Sequence, residues 1–157
     1  MKKRFVVMLI CATLLLAGEG VTIAYETAKS NKDEINVDVD NGQVSERVIS
    51  VTDLNLYPGG EKAYTVKFAS KSADNIAVTL EFEETEAGEL KNYVTVTVSS
   101  GEKTESAGLK ELLEGKRFVF TGKIEKLTLT YKMDESAGND VQGAGIKFDV
   151  RIKASAN

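Results

Sequence analysis

The stretch Ile76-Ala-Val-Thr-Leu-Glu-Phe-Glu83 decides the fold class. Ile76, Val78, Leu80 and Phe82 alternate with Ala77, Thr79, Glu81 and Glu83. A period of two puts the apolar set on one face of a strand and the polar set on the other. The same rhythm returns along the chain. It appears in Ile35, Val37 and Val39, in Tyr64, Val66 and Phe68, and in Val94, Val96 and Val98. It appears again around Phe118 and Phe120, in Leu127, Leu129 and Tyr131, and in Ile146, Phe148, Val150 and Ile152, with Val48 to Val51 a further short apolar run. Turn signals separate the runs: Asn41-Gly42, Pro58-Gly59-Gly60, Ala87-Gly88, Ser100-Gly101, Gly115, Gly122, Gly138-Asn139 and Gly143. Ile124 falls on the wrong parity for Leu127, and a bulge near Glu125-Lys126 would reconcile them. Only SAGLKELLEG, with Leu109, Leu112 and Leu113, has helical spacing, for one or two turns ending at Gly115.

About eight short strands, each apolar on one face and polar on the other, predict an all-β fold. We expect a single antiparallel β-sandwich, jelly-roll or immunoglobulin-like, with one short helix. The predicted core is Val66, Phe68, Ile76, Val78, Leu80, Phe82, Val94, Val96, Val98, Phe118, Phe120, Leu127, Leu129, Phe148, Val150 and Ile152.

The N-terminus reads differently. Lys2, Lys3 and Arg4 precede an uncharged run from Phe5 to Ala17, which Gly18-Glu19-Gly20 breaks. Thr22-Ile23-Ala24 places small residues for cleavage between Ala24 and Tyr25, and a second cut could follow Ala17. Residues 1–24 therefore read as an export signal, forming a helix ahead of the sandwich. The uncharged run is short beside the roughly 20 apolar residues that span a bilayer, so an uncleaved anchor is the weaker alternative. Cys11 lies inside the apolar run behind Ile10, which suits a small hydrophobe in the signal better than a lipidation site. Residues 25–34, YETAKSNKDE, read as a flexible lead, and 35–157 as the sandwich domain.

Composition removes whole classes of chemistry. The 157 residues contain no His, no Trp, one Cys and one Pro. Without His there is no Ser-His-Asp triad and no His-Glu-x-x-His zinc site. With its single Cys inside the signal, the exported part has no thiol for a disulfide or a thiolate metal cluster. The net charge is −4, and loss of Lys2, Lys3, Arg4 and Glu19 takes it to −6. That balance offers no basic face for nucleic acid.

The remaining motifs have plain readings. Ser100-Gly101-Glu102-Lys103 matches Ser-x-x-Lys but lacks the companion motifs of that chemistry, and reads as an exposed hairpin turn. Asn36, Asp38 and Asp40 occupy the first odd positions of a calcium loop, yet Asn41 stands where the loop needs Gly and Arg47 where it needs Glu. A calcium site of another kind has Asp38, Asp40, Asn139 and Asp140 as its candidates. No other cofactor is indicated. Glu81, Glu83, Glu84 and Glu86 read as a solvated strand face, because glycosidase carboxylates must face each other across a cleft. Tyr57 and Tyr93 are candidate exposed aromatics for sugar.

Three segments resemble the TasA/camelysin family of exported bacterial proteins. They are GEGVTIAYETAKS at the signal exit, DLNLYPGGEKAYTVKFASKSADNIAVTLEFE at 53–83, and AGNDVQGAGIKFDVRIKAS at 137–155. The resemblance implies a jelly-roll-like sandwich, export to the cell surface or matrix and, in some members, assembly into fibres in which the N-terminal segment of one subunit completes the sheet of the next. A strand at the chain start can do this through its backbone. Ile35, Val37 and Val39 would fill alternate pockets, and the alternative is that this strand pairs within its own domain.

The expected function is that of an exported, non-enzymatic structural or matrix protein whose partner is itself or another exported surface protein. Contact with membrane is expected only through an uncleaved signal segment. The alternative is a surface module that binds cell-wall glycan or a partner protein.

Overall fold

The computed structural model describes residues 22–26, 34–39, 44–52, 54–70, 75–101, 103–141 and 144–156. Among the described residues, ten strands, one helix and two 3-10 turns make a two-sheet sandwich. The strands are β1 (Thr22–Glu26), β2 (Glu34–Val39), β3 (Val44–Val51), β4 (Glu61–Ser70), β5 (Ile76–Glu86), β6 (Val94–Ser100), β7 (Lys103–Gly108), β8 (Phe118–Gly122), β9 (Lys126–Met133) and β10 (Lys147–Ala156); α1 is Leu109–Leu113. Sheet A runs β1-β3-β10-β5-β8 and sheet B runs β2-β4-β9-β6-β7.

Every residue of the predicted core is buried. The alternation seen in the sequence becomes two inner faces packed together, so the hydrophobic effect drives both register and closure. An aromatic string ties the sheets. Tyr64 meets Tyr131 edge-on at 5.8 Å within sheet B, and Tyr131 meets Phe148 of sheet A at 5.8 Å. Phe148 then meets Phe82, and Phe82 meets Phe118, both at 6.2 Å. Burial pushes the Tyr131 hydroxyl far above the usual phenol range, with the Tyr64 hydroxyl adding to it.

The sheets depart from the expected antiparallel plan at one side. β1 pairs with β3 in parallel, and β2 pairs with β4 in parallel. The other strand pairs in the two sheets are antiparallel. The cause is connectivity. Successive strands β1 to β4 cross from one sheet to the other each time, so neighbours within a sheet are two strands apart in the chain and run the same way. Tight hairpins cannot make such pairs, and apolar alternation carries no sign of direction.

Other local expectations change too. Ile124 needs no bulge: β8 ends at Gly122, and Ile124 is buried in the crossover to β9, which lies in the other sheet. Gly122 turns the chain there with φ 124°. The bulge sits instead in β5, where Glu84 and Glu86 face Phe148 and Lys147 in turn. The hairpin at Ser100-Gly101 forms as expected, with Gly101 at φ 57°. Its second arm β7, KTESAG, has no apolar rhythm of its own.

The signal helix expected over residues 1–24 lies, up to residue 21, outside the described residues. Residues 22–26 are strand, as is Glu34, so the lead expected over 25–34 has both of its ends in strands.

Candidate functional site

Three surfaces carry chemistry: the side of the sandwich formed by the N-terminal strands, and the two outer faces. The opposite side is closed. There α1 packs against β5, β6 and β7, and Leu109 and Leu112 are fully buried. Lys103 of β7 donates to the carbonyl of Val119 in β8 at 3.0 Å and lies 4.9 Å over the Phe120 ring. One side chain thus bridges the two sheets.

On the N-terminal side, β2 lies at the edge of sheet B and β1 at the edge of sheet A. Ile35, Val37 and Val39 are 3%, 1% and 1% exposed, inside the core. These candidate assembly residues stand opposite Val66, Phe68 and Ser70 of β4 in the same chain. The candidate cleavage pair falls within β1, where Ala24 stands opposite Arg47 and Tyr25 opposite Val48. A cut there leaves only Tyr25 and Glu26 of that strand, and the backbone of β3 from Ser45 to Arg47 loses its neighbour. An exposed row of N–H and C=O groups is a pairing template.

The outer face of sheet A is ionic. Lys153 donates to Glu81 at 2.8 Å, and Arg117 lies 3.4 Å from the same carboxylate. Arg151 reaches Glu46 at 3.3 Å and Glu83 at 3.5 Å. At the end of β5, past the bulge, Lys91 donates to Glu84, which stands opposite the inward-facing Phe148, and Lys147 pairs with Glu86. The four glutamates grouped in the sequence are therefore each paired with a cation from another strand or turn. The hydrogen bond from Lys153 holds the Glu81 carboxyl below the usual carboxylate range, with Lys153, Arg117 and Arg151 adding attraction against a desolvation that acts the other way. The exposed pairs each stabilise by about 0–1 kcal/mol, while Glu46, at 9% exposure, is a buried carboxylate whose charge Arg151 meets.

The middle of the outer face of sheet B is built of hydroxyls, with Lys67 and Lys126 opposite each other at one end and Glu61 and Lys132 at the other. Strand register places Thr65, Thr128, Ser99 and Thr104 in one row across four strands. Thr130, Thr97 and Ser106 form the next row, where the Thr97 and Ser106 hydroxyls are 2.9 Å apart. All seven are exposed or half-buried. The array ends at an open groove of about 400 Å³ lined by Thr95, Thr97, Lys132, Met133, Asp134 and Glu135. The Ser136 backbone N–H donates to the Asp134 carboxylate at 2.8 Å, which holds that acid below its usual range. No single segment carries this array: it comes from hydroxyl positions in four strands, and its local traces are the alternating hydroxyls at 97–99, 104–106 and 128–130.

The candidate calcium ligands fall on separate elements, with Asp140 next to Asn139 in one turn. Asp38 is exposed on edge strand β2, and Asn139 is exposed in the 3-10 turn Asn139–Val141. Asp40 lies outside the described residues. Among the described residues no group of three or more Asp, Glu, Cys or His is arranged to hold a metal ion. Tyr57 is 65% exposed and Tyr93 is 36% exposed.

No protein-family model matches the chain, and no curated protein sequence does. The chain is similar to solved structures at low identity. One is the full extracellular region of zebrafish Gpr126/Adgrg6, at 18% identity and a TM-score of 0.41, over 79% of this chain and 15% of that one. Another is the pre-peptidase C-terminal domain of a collagenase from Bacillus anthracis, at 14% identity and a TM-score of 0.38, over 80% of this chain and 99% of that one.

Proposed function

We propose that this chain is an exported, non-enzymatic structural protein of the cell surface or matrix, of the TasA/camelysin kind, with a jelly-roll-like sandwich that self-associates through its N-terminal strands. The observation that carries the reading is the position of β2: a parallel edge strand whose apolar residues fill core pockets of sheet B. The chain start is joined to the body through residues 40–43, and the same pairing on β4 of a neighbouring copy would reproduce every contact made at home. Exchange of an identical element between copies is a low-cost route to assembly. The export signal read over residues 1–24 supports the location, and cleavage after Ala24 would open the edge of β3 on the same side of the sandwich.

A tether tests this. Asn36 and Lys67 are Cα partners on the outer face of β2 and β4, and the part of the chain after the signal has no cysteine. In the double variant Asn36→Cys/Lys67→Cys, adjacent strands place the two thiols within the reach of a disulfide. Oxidised as monomer, the variant should form no filaments by electron microscopy, and reduction should restore them. Filaments of wild-type number and width from the oxidised monomer would refute strand donation by β2.

A second reading, a surface module that binds glycan, is favoured by the hydroxyl face of sheet B and the groove at its end. It uses different residues and does not compete for β2.

A further inference from the structure

The two outer faces of this sandwich differ in kind, and the difference points to a ligand. Sheet A carries a lattice of paired charges that saturate one another. The centre of sheet B carries no charge: Thr65, Thr128 and Ser99 lie beside Thr130 and Thr97 in adjacent rows. Each hydroxyl both donates and accepts. Neighbouring strands lie ~4.8 Å apart, so a row across four strands offers hydroxyls over ~14 Å.

We infer that this face, anchored at the groove formed by Thr95, Thr97, Lys132, Asp134 and Glu135, binds an uncharged polysaccharide chain. The inference rests on the second reading above and names its site and ligand chemistry. A polyol offers the same mixed donor and acceptor surface as the hydroxyl rows, so its groups can be met without a net charge on either partner. The groove adds what a flat face lacks: two carboxylate acceptors and an ammonium donor around one concavity. Charge-assisted bonds of this kind are the strong ones, and they fix register along a repeating chain. Asp134 stays ionised as an acceptor down to lower pH than an ordinary aspartate because the turn N–H of Ser136 holds it. A polyanion is disfavoured at the groove, where Asp134 and Glu135 outnumber Lys132. The groove lies on β6, β9 and the turn after β9, none of which pairs with β1 or β2, so glycan could be held there while copies assemble.

Co-sedimentation of the full-length protein with insoluble cellulose and chitin, beside pectate as a charged control, tests the site. Wild type should partition onto at least one neutral polymer and not onto pectate. Thr95→Val/Thr97→Val removes two hydroxyls while keeping branched strand residues, and it should weaken that partition about tenfold or more, the loss expected for two hydrogen bonds. Its melting temperature should stay near wild type, and Asp134→Asn should weaken binding independently. Wild-type retention by neither neutral polymer would overturn the glycan reading itself. Equal retention of wild type and both variants would leave glycan binding standing and overturn this face as its site. Preference for pectate would overturn the chemistry assigned to the ligand.

Discussion

Phe148→Ala is the sharpest test of how the two sheets are held. Phe148 is 0% exposed and touches Phe82 of its own sheet and Tyr131 of the other. Removing a buried Phe ring costs about 3–5 kcal/mol through lost transfer and the residual cavity. The upper half applies here. Rigid aromatic neighbours on both sides cannot collapse into the space, and the variant loses two ring pairs of about 0.5–1.5 kcal/mol each within that total. Domains of this size have about 5–15 kcal/mol in all. At about 3–5 °C per kcal/mol for a chain between the surveyed sizes, the melting temperature should fall by roughly 12–25 °C. Thermal unfolding followed by circular dichroism reads this, with urea unfolding as the check on slope. Val119→Ala, 45% exposed on β8, serves as the control and should move stability by no more than about 0.5 kcal/mol. A Phe148→Ala protein that melts within a few degrees of wild type would refute the inter-sheet packing. Equal losses in the two variants would refute the assignment of inner and outer faces.

The other predictions follow from single observations. Gly88→Ala should be strongly destabilising by urea unfolding, because a Cβ there would lie 2.0 Å from the Gly145 carbonyl oxygen and the clash is with backbone; unchanged stability would mean these two loops are not in contact. Glu81 has a folded pKa held below its unfolded value, so its contribution is present above the unfolded pKa and is lost as pH falls through the folded one. Glu81→Gln should therefore cost stability at neutral pH and lessen its decline in acid, a difference measurable by melting across that range. Lys103→Met keeps an unbranched stem but removes the bridge to Val119 and the cation over Phe120. It should raise amide hydrogen exchange in β7 and β8 while β9 and β10 keep their protection. Mass spectrometry of the released protein should find Tyr25 as its first residue, and a start at Met1 would refute the processing on which the open β3 edge depends.

Much of the fold was legible because a strand buried on one side must alternate. The Ile76–Glu83 rhythm, and its repeats at Leu127–Tyr131 and Phe148–Ile152, name inner and outer residues whatever the topology. The helical spacing of Leu109, Leu112 and Leu113 fixed α1 for the same reason. What lacked that rhythm went unseen. β7 is held by register to β6 and not by its own apolar residues, and β1 lies in a segment whose small and apolar residues also suit a signal exit. Parallel pairing of β1 and β2 depends on which sheet each strand joins, and no local pattern encodes that choice.

The candidate sites divide along the same line. The amino-acid sequence alone removed histidine chemistry and marked Ala24-Tyr25 and the Ile35, Val37, Val39 strand, because composition and local period need no knowledge of distant neighbours. Only the tertiary structure set Glu81 beside Lys153 and Arg117 and ranked hydroxyls from four strands on one face. Cross-strand register joins residues tens of positions apart, and register is fixed by the packing of the whole core.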